Sequence, residues 1–134
     1  MTDLLSLSAR DCAALFALKA ATPIDLLEAT LARLDAVEPS VNAFAHVDRA
    51  GARRAAEESA ARHARGEAIG PADGLIATIK DNVLVQGLPN RRGTRTSPSG
   101  PMSEDSPASV IADVETHFGA AKGNDGLVIV TTLG

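Results

Sequence analysis

The stretch Gly74-Leu75-Ile76-Ala77-Thr78-Ile79-Lys80-Asp81-Asn82 constrains this chain more than any other. Leu75, Ala77 and Ile79 alternate with Ile76, Thr78 and Lys80, the period of a strand buried on at least one face. The run then breaks into a cation, an anion and an amide, and passes to a Gly87-Leu88-Pro89 turn. Lys80 points opposite to Ile79 near the strand's end, where open α/β sheets place their chemistry. Only Lys19, Lys80 and Lys122 are lysines. One of them inside an apolar run is the most unusual placement in the sequence.

Helix signals surround this strand. Ser8 with Asp11 reads as a capping pair opening a helix over about 9–19, with Cys12, Leu15, Phe16 and the stem of Lys19 as its buried stripe. Thr22-Pro23-Ile24-Asp25 is a stronger start: a capping Thr, Pro at the first helical position and an acid at the third. Leu26, Leu27, Thr30, Leu31 and Leu34 follow at helical spacing, and Pro39 is expected to close the element. Residues 41–47 alternate weakly and predict a first strand. Asp48 caps a third helix to about Arg65, ended by Gly66. Its narrow alanine stripe predicts a surface element lying on something larger. Residues 89–107, rich in Pro, Gly, Ser, Thr and Arg, read as a long irregular segment. Ser106-Pro107 opens a further helix bearing Val110, Ile111, Val114 and Phe118, and Leu127 to Thr132 is a β-branched strand candidate. The pattern is α/β, and a sheet that stops on a strand looks unfinished.

Composition narrows the function classes. The chain has 134 residues, enough for one domain with a real core, yet only 2% are aromatic. Alanine supplies much of the 45% apolar content, so the helices bury little area each and modest stability is expected. A net charge of -4 argues against nucleic-acid and anionic-membrane partners. No apolar run is long enough to span a bilayer, the N-terminus lacks a basic signal start, and the single Cys12 suits a reducing compartment; the expected location is cytoplasmic.

Among candidate functional groups, Lys80 has three readings. It snorkels or pairs with a carboxylate such as Asp81; it is desolvated and serves as a base; or it binds phosphate, for which the required glycine-rich loop is missing. Asp81 and Asn82 either hold Lys80 or cap the turn. His46, His63 and His117 lack zinc-ligand spacing, so neither a metal nor a cofactor is expected. Cys12 reads as core rather than nucleophile. Arg91, Arg92 and Arg95 are either an anion site or a solvated loop face, and Ser97, Ser99 and Ser103 read as turn residues.

Taken together, Asp73 to Asn82, Gly87-Leu88-Pro89 and Gly93-Thr94 resemble the N-terminal part of the amidase signature family. Upstream, Ser8-Ala9-Arg10, Thr22 to Leu27, Val41-Asn42-Ala43-Phe44 and Gly66-Glu67 with Gly70-Pro71 agree, as does Glu104 to Ala108 downstream. The likeness covers roughly residues 5–110. It implies a large mixed sheet covered by helices, and hydrolysis or transfer of small carboxamides by a serine nucleophile, a second serine in a cis peptide and a lysine base. Lys80 matches that lysine. A neutral amine needs burial away from water, which the apolar strand could supply. The amine would then take a serine's proton while backbone amides hold the oxyanion.

The departures are equally informative. The sequence holds no Ser-Ser and no Gly-Gly pair, the stretch that supplies the family's serines and oxyanion amides. Past about Ala112 the likeness fades. The expectation is a single partial domain over 1–134, with a helical arm at about 5–66 and a strand-loop-helix-strand core segment at about 74–134. It would carry the base without the nucleophile and be inactive alone. The rival reading is a non-catalytic interaction module, with a homo-oligomer formed through an open sheet edge. A third is a chain that does not fold stably by itself.

Overall fold

The computed structural model describes residues 3–84, 87, 89–96, 100–103 and 128–132. Among the described residues three α-helices lie against a small mixed sheet, its first strand falling between the second and third helices. A 3-10 turn, Leu4–Ser6, leads into α1 (Ala9–Ala17). Ser8 caps α1 by accepting the Asp11 amide at 3.2 Å and donating to the Asp11 carboxylate at 2.6 Å. The helix stops two residues short of the expected bound because Lys19 turns left-handed at φ 57°, with the Ala20 amide closing onto the Leu15 carbonyl at 2.9 Å.

Helix α2 (Pro23–Val41) starts where the sequence signalled. Thr22 Oγ1 accepts the Asp25 amide at 3.2 Å, and Asp25 accepts the Thr22 amide at 2.8 Å, so two of the helix's orphan donors are satisfied reciprocally. Pro39 does not close it. The ring sits inside the last turn, so the helix forgoes the backbone bond that a donor at this position would make, yet it continues to Val41 and ends at Asn42 in the left-handed conformation. Helix α3 (Arg49–Arg65) runs between its two expected caps. Asp48 accepts the Gly51 amide at 2.9 Å, and Gly66 takes φ 73°. Arg62 and Arg65 in its last turn complement the helix dipole.

The strands are β1 (Phe44–His46), β2 (Ile76–Lys80) and β3 (Val128–Thr132). Their order is β1-β3-β2, with β1 antiparallel and β2 parallel to β3. Parallel pairing sets Ile76 against Val128 and Lys80 against Thr132, so β2 and β3 end together. The helix expected from Ser106 onward lies outside the described residues.

Two apolar clusters meet at one residue. Leu27, Leu31 and Leu34 of α2 pack on Ala52 and Ala56 of α3, with Phe44, Val47, Ala55 and Ile76 at the margin. The narrow alanine stripe thus lets two helix backbones approach closely rather than covering a broad surface. Cys12, Phe16 and Leu26 form the second cluster, bordered by Leu4, Leu7, Leu75 and again Ile76. Ile76 joins both because β2 enters beneath α1 and α2. Cys12 is core, as expected. Burial pushes its thiol pKa up, the Asp11 charge adds to this, and its Sγ donates weakly to the Leu4 carbonyl at 3.7 Å.

Candidate active site

The segment that brings the chain to Lys80 is fixed by a buried carboxylate. Asp73, just before β2, is only 3% exposed. Its Oδ1 accepts from Ser59 Oγ at 2.6 Å and Arg62 Nη2 at 2.7 Å; its Oδ2 accepts from Arg62 Nε at 2.9 Å and the Ile69 amide at 3.2 Å. The Asp73 carbonyl meets His63 Nε2 at 3.0 Å, and that ring stands edge-on to Phe16. Burial pushes the carboxyl pKa up, but the hydrogen bonds from Arg62, Ser59 and Ile69, with the Arg62 charge, outweigh it and hold the pKa below the ordinary value. The next residue, Gly74, adopts φ 86°, and a Cβ there would lie 2.4 Å from Pro23 Cγ and 2.7 Å from Ser59 Oγ. Only glycine fits where the strand squeezes between the start of α2 and the end of α3.

Along β2 the alternation holds at its end, where Ile79 is buried and Lys80 exposed. The desolvation expected for Lys80 from its apolar neighbours is therefore not supplied by β2. Its apolar neighbours along the strand lie behind it or on the other face and do not cover its side chain.

Asp81 resolves the choice left open for it. It is 4% exposed and bonds the loop, accepting the Arg91 amide at 3.1 Å and the Gly93 amide at 3.3 Å. Asn90, also buried, reaches back with Nδ2 to the carbonyls of Asp81 at 2.9 Å and Val83 at 3.1 Å. The Val83 amide closes a turn onto the Lys80 carbonyl at 2.9 Å. Farther out, Pro89 pairs with Pro101, and the Gly87 amide donates to the Met102 carbonyl at 2.9 Å. The chain after Lys80 is thus a closed loop pinned to the strand's end. Sequence reasoning missed Asn90 and Asp73 as the residues that anchor this segment. A signal for Asp73 existed in Ser59, a hydroxyl on the buried stripe of α3 with Ala52 and Ala56. Ser59 and Ala56 could have been read as an inward face seeking a polar partner.

Arg91, Arg92 and Arg95 are exposed on this loop. Ser103 is exposed, whereas Ser97, Ser99 and His117 lie outside the described residues. Among the described residues no three His, Cys, Asp or Glu side chains gather as a metal site would require, and no helix is long and apolar enough to cross a membrane. An apolar cleft of about 320 Å³, lined by Leu4, Leu7, Cys12, Leu26, Leu75 and Ala77, opens at the start of β2, the end away from Lys80.

Comparison with known proteins gives this arrangement a family. The amidase family model matches residues 25–114. A glutamyl-tRNA(Gln) amidotransferase subunit from Salinispora arenicola is 42% identical over 95 residues, which cover 71% of this chain and 19% of that protein. An acylamidase of Rhodococcus erythropolis is 40% identical over 89 residues, covering 66% of this chain and 19% of that one. The chain therefore spans about a fifth of the length of the curated relatives it matches. Among solved structures, an amidase superposes with a TM-score of 0.76 at 29% identity over 95% of this chain and 27% of its own. The peptide amidase of Stenotrophomonas maltophilia gives 0.77 at 20% identity, over 95% of this chain and 24% of its own, a likeness of fold. The family match over residues 25–114, with relatives at about 40% identity and the shared fold, makes this chain a member of the amidase family, the amidase signature enzymes.

Proposed function

We propose that this chain contributes the lysine-base half of a carboxamide-hydrolysing site and does not turn over amides by itself. One observation carries the reading. Lys80 is the last residue of β2 at the shared carboxyl end of two parallel strands, and the two residues after it begin a loop held by the buried Asp81 and Asn90. A base must be held still, and the carboxyl end of an open sheet is where such folds leave room for a ligand. On this reading the amine of Lys80 takes the proton of a serine hydroxyl as that oxygen attacks the amide carbon, and backbone amides receive the negative charge of the oxyanion. The serines are not assigned to this sequence, which has no Ser-Ser or Gly-Gly pair. The segment that carries them would also cover Lys80, supplying the desolvation that β2 leaves undone.

The substrate class is a small linear carboxamide, the location cytoplasmic, and residues 1–134 act as one partial domain with a helical arm before the strand-and-loop segment. The test is a chimera in which residues 8–103 replace the matching part of the Salinispora relative. The chimera should release ammonia from a simple amide, and Lys80→Ala should lower that rate by roughly 10²–10⁴-fold. A folded, active chimera indifferent to Lys80→Ala would remove the base assignment.

A second reading rests on a different observation. Among the described strands β2 lies at the sheet's edge. An unpaired edge is a template for another strand, so a homo-oligomer formed through β2 is the alternative use of this chain. Sizing by light scattering discriminates: a monodisperse monomer counts against it.

A further inference from the structure

The loop that follows Lys80 carries more charge than its scaffold needs. Between residues 80 and 96 lie four cations, Lys80, Arg91, Arg92 and Arg95, and one anion, Asp81. The anion is buried and committed, its two oxygens accepting the Arg91 and Gly93 amides. The arginines are exposed, and among the described residues no carboxylate pairs with any of them. Arg92 Nε donates to Asn90 Oδ1 at 3.3 Å, which orients one guanidinium without neutralising it. Elsewhere in this acidic chain, Arg49, Arg53, Arg62 and Arg65 face a carboxylate, while Arg10, Arg33 and Arg54 stand apart from one another along the sequence rather than gathered on one loop.

The backbone beneath these three arginines is held. The loop is closed at its base by the Pro89–Pro101 pair and the Gly87–Met102 bond, and pinned within by Asp81 and Asn90. Arg92 and Gly93 both take positive φ, at 51° and 70°, and the Thr94 amide closes a turn onto the Arg91 carbonyl at 2.9 Å. Thr94 Oγ1 in turn accepts the Thr96 amide at 2.9 Å. Exposed guanidinium groups on a preorganised loop meet a ligand with little further ordering cost. A guanidinium's planar fork matches a carboxylate's two oxygens, and each such contact is charge-assisted. The loop hangs from the residue next to Lys80, at the sheet's carboxyl end, so its reach is that of a small ligand seated there.

From this we propose that the loop 90–96 is an anion-recognition element, and that the ligand it selects is a small amide bearing a carboxylate at its other end. The amide half of that ligand rests on the reading of Lys80 given above; the charge preference does not, and the test separates them. Binding of succinamate and of butyramide, a neutral amide of the same chain length, is followed by chemical-shift titration of the full chain. Succinamate should bind about tenfold more tightly or better, and the preference should collapse in moderate salt. The triple variant Arg91→Gln, Arg92→Gln, Arg95→Gln should bring the two amides within about twofold of each other. The same three positions changed to Lys should keep part of the preference, because charge remains while the bidentate fork is lost. Lys80→Met should retain the preference, whatever the fate of the base assignment. These side chains are exposed, so all variants should keep the parent circular dichroism spectrum. Absence of saturable succinamate binding would overturn the proposal. So would equal affinity for both amides, a preference untouched by the triple Gln variant, or one lost in Lys80→Met. A control, Arg53→Gln with Arg54→Gln on α3, should leave the preference intact; if it abolishes it, the effect is bulk charge and the loop has no role. Tighter binding of a single-stranded oligonucleotide than of succinamate would likewise overturn it.

Discussion

Replacing Asp73 by Asn isolates the contribution of the buried carboxylate that positions β2. The side chain keeps its size, and its remaining carbonyl oxygen still accepts from Ser59 or from Arg62. What disappears is the charge opposite Arg62 and two of the four acceptor contacts, which run from 2.6 to 3.2 Å. Breaking a fully buried ion pair by removing one partner costs about 3–5 kcal/mol. Arg62 keeps 18% of its side chain in solvent and the amide retains part of the network, so the expected loss is about 2–3 kcal/mol. With no Trp or Tyr in the chain, the assay is urea unfolding followed by far-ultraviolet circular dichroism. The transition midpoint should fall while its slope is unchanged. The loss should depend on pH in a defined direction. The folded-state pKa of Asp73 lies below its unfolded value, so the folded chain binds fewer protons there and the stabilisation is complete above roughly pH 4. As pH falls through the lower, folded value, the parent's advantage over Asp73→Asn should shrink toward zero. A midpoint shift worth under about 0.5 kcal/mol at pH 7, or an advantage that grows on acidification, would refute the reasoning.

Other perturbations follow from the same geometry. Gly74→Ala forces a Cβ against Pro23 and Ser59 at positive φ and should cost about 2 kcal/mol or more in the same unfolding assay. Thr22→Ala removes the capping box of α2 and should cost about 1 kcal/mol, with Thr22→Ser recovering most of it. Asp81→Asn should leave global stability nearly intact but accelerate amide hydrogen exchange at Arg91 and Gly93, the two groups its carboxylate holds.

Much of the helical frame was legible because it is written in local chemistry. The Thr22-Pro23-Asp25 start, the Asp48 cap and the Gly66 stop each act within one turn, and all three fall where the sequence puts them. The strand at Ile76–Lys80 was readable from its alternation. Errors arose where a local rule met a compensating neighbour. Pro39 was expected to end α2, yet the helix carries it through the last turn at the loss of one backbone bond, and Asn42, free to turn left-handed, makes the actual stop. Burial of Lys80 was expected from its apolar flanks, but flanking residues along a strand lie on both faces and do not by themselves cover its final side chain. The two hubs, Asp73 with Ser59 and Arg62, and Asp81 with the Asn90–Gly93 loop, were hidden for another reason. Their partners are 10–14 positions away across turns of no fixed period. The order of residues around Lys80 indicated the family; the contacts that hold that region together did not show in the sequence.

The most direct test of the central claim is ammonia release from a set of simple carboxamides by the purified 134-residue chain, run beside its Lys80→Ala variant. The account predicts no turnover above the buffer rate for either protein, because on the proposed reading Lys80 is the base of a site whose nucleophile this sequence does not supply. Turnover by the parent chain that disappears in Lys80→Ala would contradict it, placing a complete catalytic site within this sequence.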